Sequence, residues 1–134
     1  MAAAKKRRPQ KPPANEPSGS TQRVLVKIDA EYGGFREDLS KTEERILTDF
    51  LRCAEKIAQM TWEQVFATSS KGRNKRGINW EPIGQLTKSG KRVHTIRISR
   101  ACRARVVRSG AYMIFLSLHE DHDSAYTHQH LDDV

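Results

Sequence analysis

Two successive runs between Val93 and Val107 alternate between two kinds of side chain, and no other feature limits the possible folds of this chain so strongly. His94, Ile96 and Ile98 alternate with Val93, Thr95 and Arg97, and Cys102, Ala104 and Val106 alternate with Arg103, Arg105 and Val107. A period of two belongs to extended chain, whose successive side chains point to opposite faces of a sheet. Ser109-Gly110 is a two-residue turn signal, and it leads into Tyr112 to Leu118, the most apolar run and so a central strand. The runs predict three antiparallel strands in a meander, with one face to bury.

The upstream half supplies the cover. Val24 to Ile28 is a β-branched run closed by Asp29 and the Gly33-Gly34 pair, which predicts a short strand. Ser40-Lys41-Thr42-Glu43 has the form of a capping box, and Ile46, Leu47, Phe50, Leu51, Ala54, Ile57 and Ala58 then recur at helical spacing. Thr61-Trp62-Glu63-Gln64 caps a further turn of helix carrying Val65 and Phe66. Ser69 to Arg92 reads as a basic loop with a brief ordered piece at Ile78-Asn79-Trp80. The expected class is α+β, with helices packed on one face of a small curled antiparallel sheet and the other face uncovered.

Residues 1–22 hold the Lys5-Lys6-Arg7-Arg8 run and four of the five prolines, and are expected to form a disordered basic arm. The folded domain is placed at residues 23–127, with a tail at 128–134. No apolar stretch has the length of a signal-peptide core or a membrane span, which predicts a cytoplasmic protein without a membrane partner. Cys53 and Cys102 sit among apolar neighbours without metal or redox spacing, and are read as reduced core residues.

Lys and Arg number 24 against 16 Asp and Glu, a net charge of +8 that favours polyanions. If Cys102, Ala104 and Val106 face the core, Arg103 and Arg105 face the other way, and Arg97 joins them from the neighbouring strand. With Lys71, Arg73, Lys75 and Arg76 in the adjacent loop, these guanidiniums make a surface for phosphates. Trp80 either stacks on an RNA base or lids the core, while Trp62 belongs to the core and His94 is structural. The last strand runs into a dense titratable group, where His122 and Tyr126 form a candidate acid and base pair, the tyrosine activated by nearby arginine. Metal-free RNA cleavage needs a base for the 2′-hydroxyl, cations for the phosphorane and an acid for the leaving oxygen, and Arg, His and Tyr supply these. The spacing of His119, His122, His128 and His130 matches no closed zinc pattern, so no metal or other cofactor is expected.

The stretches Thr95-Ile96-Arg97-Ile98, Cys102 to Val107, Ile114 to Leu118 and His122-Asp123-Ser124-Ala125-Tyr126 together resemble the RelE/ParE superfamily of toxins from bacterial toxin-antitoxin systems. The resemblance covers about Arg23 to Tyr126 and is strongest after Val93. It implies a translation-inhibiting endoribonuclease that cuts messenger RNA at the ribosome and is neutralised by a cognate antitoxin. His122 and Tyr126 match the family's ending, and either Arg103 or Arg105 takes its functional arginine position. Glu120-Asp121 departs from the basic residues often found there, and the N-terminal arm is longer than usual. Two other classes stay open: a ParE-like inhibitor of DNA gyrase without nuclease chemistry, and a non-catalytic RNA-binding protein using the same arginine face.

Overall fold

The computed structural model describes residues 23–68, 77–127 and 130–134, with His122 described by its backbone alone. The elements are β1 (Lys27–Asp29), α1 (Gly33–Lys41), α2 (Glu44–Ile57), α3 (Trp62–Phe66), β2 (Glu81–Leu86), β3 (Arg92–Arg97), β4 (Arg103–Ser109), β5 (Tyr112–His119) and α4 (His122–Tyr126). The strands form one sheet in the order β1-β5-β4-β3-β2. β3, β4 and β5 are the meander that the alternation demands, with Gly110 in its second turn at φ 63°. The apolar β5 is central, as its composition predicts.

The sheet is mixed, which corrects the fully antiparallel expectation. β1 pairs parallel to β5, with Ile28 opposite Met113, because α1 to α3 and the rest of the sheet intervene and give the chain room to cross over. β2 was expected to be loop. Its segment contains Pro82 and a Gly84 at φ 74°, and its register with β3 shifts between Pro82 and Leu86, so it carries no clean alternation. An edge position tolerates both residues.

The Ser40 capping box does not form. Gly33-Gly34 opens α1 instead of ending a strand, so Ser40 lies inside that helix with its hydroxyl donating to the Glu37 carbonyl at 2.7 Å, and α2 starts after Glu43 without a side-chain cap. Gly34 permits a close approach: a Cβ there would stand 3.0 Å from the Tyr32 ring and 3.5 Å from the Leu116 carbonyl of β5. The second box is real, since Gln64 N–H donates to Thr61 Oγ1 at 3.2 Å and Thr61 N–H to Gln64 Oε1 at 2.9 Å.

α2 buries Ile46, Phe50, Cys53 and Ile57 against the sheet, while Leu51 stays 57% exposed. Phe35, Phe50 and Phe115 meet at centroid distances of 5.1 to 5.3 Å in the centre of this core. Both cysteines are free and buried, and burial pushes Cys53 up to about 11 and Cys102 up to about 12, which keeps them as unreactive thiols. Among the described residues, no helix is long and apolar enough to cross a membrane.

The far face of the sheet is covered, against expectation. Val93, Val107 and Leu116 are buried there in a second cluster with Tyr32, Ile83, Ile114 and Val134. Val93 and Val107 face this side by alternation with Thr95 and Arg105, and a bulge adds Leu116: Arg105 lies opposite Ser117 but Val106 lies opposite Phe115, so Leu116 is an extra residue in β5. Residues 131–134 return across this face, with Asp132 buried.

Candidate active site

Strand register lines up two rows of side chains on the far face. Glu81, Thr95, Arg105 and Ser117 pair in turn across β2, β3, β4 and β5, and two residues further on Arg97, Arg103 and His119 pair across β3, β4 and β5. The two-residue repeat of a strand puts both rows on one face. The placement of Arg97, Arg103 and Arg105 together therefore holds, but their exposure does not. Arg105 is 1% exposed, and Arg97 and Arg103 are half-buried.

Arg105 is held on three sides. Its Nη2 donates to Gln85 Oε1 at 3.0 Å, its Nη1 donates to Ser117 Oγ at 3.3 Å, and Nη1 lies 2.9 Å from Asp132 Oδ2. The carboxylate contact is close but misses the line of the N–H, and among the described residues Arg105 Nε has no hydrogen-bond partner. Arg103 has a separate task. Its Nη1 donates to the carbonyls of Ser99, Arg100 and Cys102 at 2.9 to 3.2 Å, clamping the turn between β3 and β4.

α4 folds over the rows. The Tyr126 hydroxyl donates to Glu81 Oε1 at 2.5 Å and accepts from Thr95 Oγ1 at 3.2 Å, while the Tyr126 carbonyl accepts from Gln85 Nε2 at 3.2 Å. Burial and the Glu81 carboxylate raise the Tyr126 pKa, and the nearby Arg103 charge only partly opposes them. This reverses the expected activation by arginine. The phenol is a proton donor held in its neutral form.

Both nitrogens of the His119 ring are engaged: Nε2 lies 2.8 Å from Ser117 Oγ and Nδ1 lies 2.9 Å from Ser124 Oγ. A continuous polar path thus runs from Ser124 through His119 and Ser117 to Arg105 and Asp132. His122 is the first residue of α4, and its side chain lies outside what is described. Lys71, Arg73, Lys75 and Arg76, like the arm at 1–22, also lie outside the described residues. Among the described residues, no three His, Cys, Asp or Glu side chains converge as metal ligands.

Of its two readings, Trp80 takes the one that places it in the core. It is 5% exposed, meets Trp62 edge-on at 5.3 Å, and stacks on His94 at 4.1 Å with 16° between the planes. Burial, helped by the neighbouring Arg92 charge, lowers His94 from 6.5 to about 4. The folded protein thus resists a proton that the unfolded chain accepts, so the contribution is intact above pH 6.5 and is lost as pH falls towards 4. Partial exposure limits the effect to about 1 kcal/mol. Urea unfolding of the wild type across that window is expected to show the decline, and His94→Phe to flatten part of it.

The alternation left Glu81, Gln85, Ser117, His119 and Asp132 unassigned to this site. Ser117 and His119 were reachable by counting back from the turn, had the bulge been known. Comparison with protein-family models, with curated proteins and with solved structures returned no match, so the geometry of the two rows carries the functional reading.

Proposed function

We propose that the chain is a metal-independent endoribonuclease, the toxin of a bacterial toxin-antitoxin pair, cutting messenger RNA. The observation that carries this reading is the Tyr126 hydroxyl held between Glu81 and Thr95, in a buried polar row that also contains Arg105.

Arginines bind phosphate through several N–H groups at once, and their charge opposes the negative charge that gathers on the phosphorane. The 2′-hydroxyl oxygen attacks phosphorus, its proton passes to the Glu81 carboxylate, and the bond to the 5′-oxygen breaks as Tyr126 gives that oxygen a proton. The products are a 2′,3′-cyclic phosphate and a 5′-hydroxyl end. Glu81, now protonated and in contact with the tyrosinate, returns its proton to Tyr126 and restores the starting state. Ser117 and Ser124 fix the His119 ring beside the arginines, giving it a positioning role. A surface of this charge suits an acidic or amphipathic antitoxin segment, and the ribosome is the natural setting for access to messenger RNA.

The test is induced expression in bacteria of the wild type and of an Arg105→Lys, Tyr126→Phe double variant, following growth and mapping the 5′ ends of cellular RNA. Growth arrest with new 5′-hydroxyl ends from the wild type alone is the expected result. Arrest by both proteins without new ends would replace this reading with inhibition by binding, as in a gyrase poison.

A further inference from the structure

Residues 131–134 lie across the polar row and set a carboxylate on its buried cation. The Asp132 side chain is 8% exposed and that of Arg105 1%, and their 2.9 Å contact is a buried ion pair. Among the described residues the remaining fastenings are the packing of Val134 against the second cluster, the Ser89 N–H and hydroxyl donating to the Val134 carbonyl, two further hydrogen bonds and one ion pair. Asp133 N–H donates to the Tyr32 hydroxyl at 3.0 Å and Lys88 N–H to the Asp132 carbonyl at 2.9 Å. Lys88 and Asp133 form a 2.8 Å ion pair that is largely exposed, where water and salt screen it. Leu131 is 59% exposed, so the segment enters this face without an apolar anchor at that position. Segments held by few buried apolar contacts open far more readily than the core beneath them.

The pair is also incomplete. Among the described residues neither Arg105 Nε nor Asp132 Oδ2 finds a hydrogen-bond partner, so the carboxylate does not meet the guanidinium in the two-bond arrangement that such pairs reach at their best. A phosphate offers more oxygens and can complete it.

We propose that Asp132 is an internal competitor for the Arg105 anion site, so that residues 131–134 form a self-supplied lid which a phosphate group of the ligand displaces. The inference rests on the reading of the polar row as a phosphate site. Its sign is definite: the lid lowers the apparent affinity of the wild type for polyanions by the fraction of time it is closed. A lid closed about nine-tenths of the time weakens binding about tenfold.

The probe is a 5′-phosphorylated 2′-O-methyl RNA trinucleotide, which lacks the attacking hydroxyl and so reports binding without cleavage. Asp132→Asn in the full chain is expected to bind it about tenfold more tightly than the wild type. Asp133→Asn makes the same charge change in the same segment at an exposed site, and is expected to gain far less. Equal gains from the two variants would reduce the effect to net charge and overturn the lid. Should Asp132→Asn not fold, the wild type decides: amide exchange at Lys88 speeds up on adding the trinucleotide if the segment is displaced, and an unchanged rate overturns the proposal. The nuclease reading fails separately. Tighter binding by Asp132→Asn with no new RNA ends from the wild type keeps the lid and removes the nuclease, and the reverse pattern does the opposite.

Discussion

Trp80→Ala is expected to lower the free energy of unfolding by about 3–5 kcal/mol, measured by urea denaturation. The indole is 5% exposed and lies against Trp62, Phe66 and His94. Trp62 is fully buried, donates from its indole to the Ala111 carbonyl at 2.9 Å and carries the Arg108 guanidinium 4.6 Å from its ring, so it is poorly placed to close the gap. A domain of this size has about 5–15 kcal/mol in total, so the variant is expected to be marginal at 37 °C. In the cold, where it remains folded, its affinity for the RNA trinucleotide is expected to equal that of the wild type. A stable variant that loses binding by the amount of one stacked base, about 1–3 kcal/mol, would return Trp80 to the RNA surface.

Trp80 shows what local pattern leaves open. An aromatic among Gly, Asn, Lys and Arg has no period to place it, and its burial depends on β2, which Pro82 and Gly84 hide from any alternation test. The meander was legible because β3 and β4 each carry their own alternation, β5 is a continuous apolar run, and each strand is joined to the next by a short turn. Gly33-Gly34 misled for a related reason: glycine reads as a break, but at Gly34 it allows close approach to the Tyr32 ring and to β5.

At the site, alternation placed Arg97, Arg103 and Arg105 on one face and could not say what lay above them. Facing away from the core was taken as facing water. The cover comes from Asp132 and Val134, which are distant in sequence and packed on that face by the return of the chain. Ser117 opposite Arg105 required a register that the Leu116 bulge shifts by one residue. Glu81, which proves to be the partner of Tyr126, was reachable only after β2 was known.

That partnership carries the second large effect. Tyr126→Phe removes one hydroxyl from the 2.5 Å contact with Glu81 and is expected to slow RNA cleavage by about 10²–10⁴-fold, while trinucleotide affinity stays as in the wild type. The pH profile separates a proton donor from a packing residue. Burial and Glu81 hold Tyr126 above the ordinary tyrosine value, so the phenol keeps its proton through the neutral range and the wild-type rate is not lost on the alkaline side until pH passes that raised value. Glu81→Gln removes the carboxylate's share of the shift but leaves burial, so the alkaline limb is expected to move to lower pH as the maximal rate falls. The fall in rate follows from the loss of the base, and the moved limb follows from the acid. If Tyr126→Phe cleaves as fast as the wild type, the hydroxyl serves only to tie α4 to β2 and β3, and the acid must come from another group on the Arg97, Arg103 and His119 row.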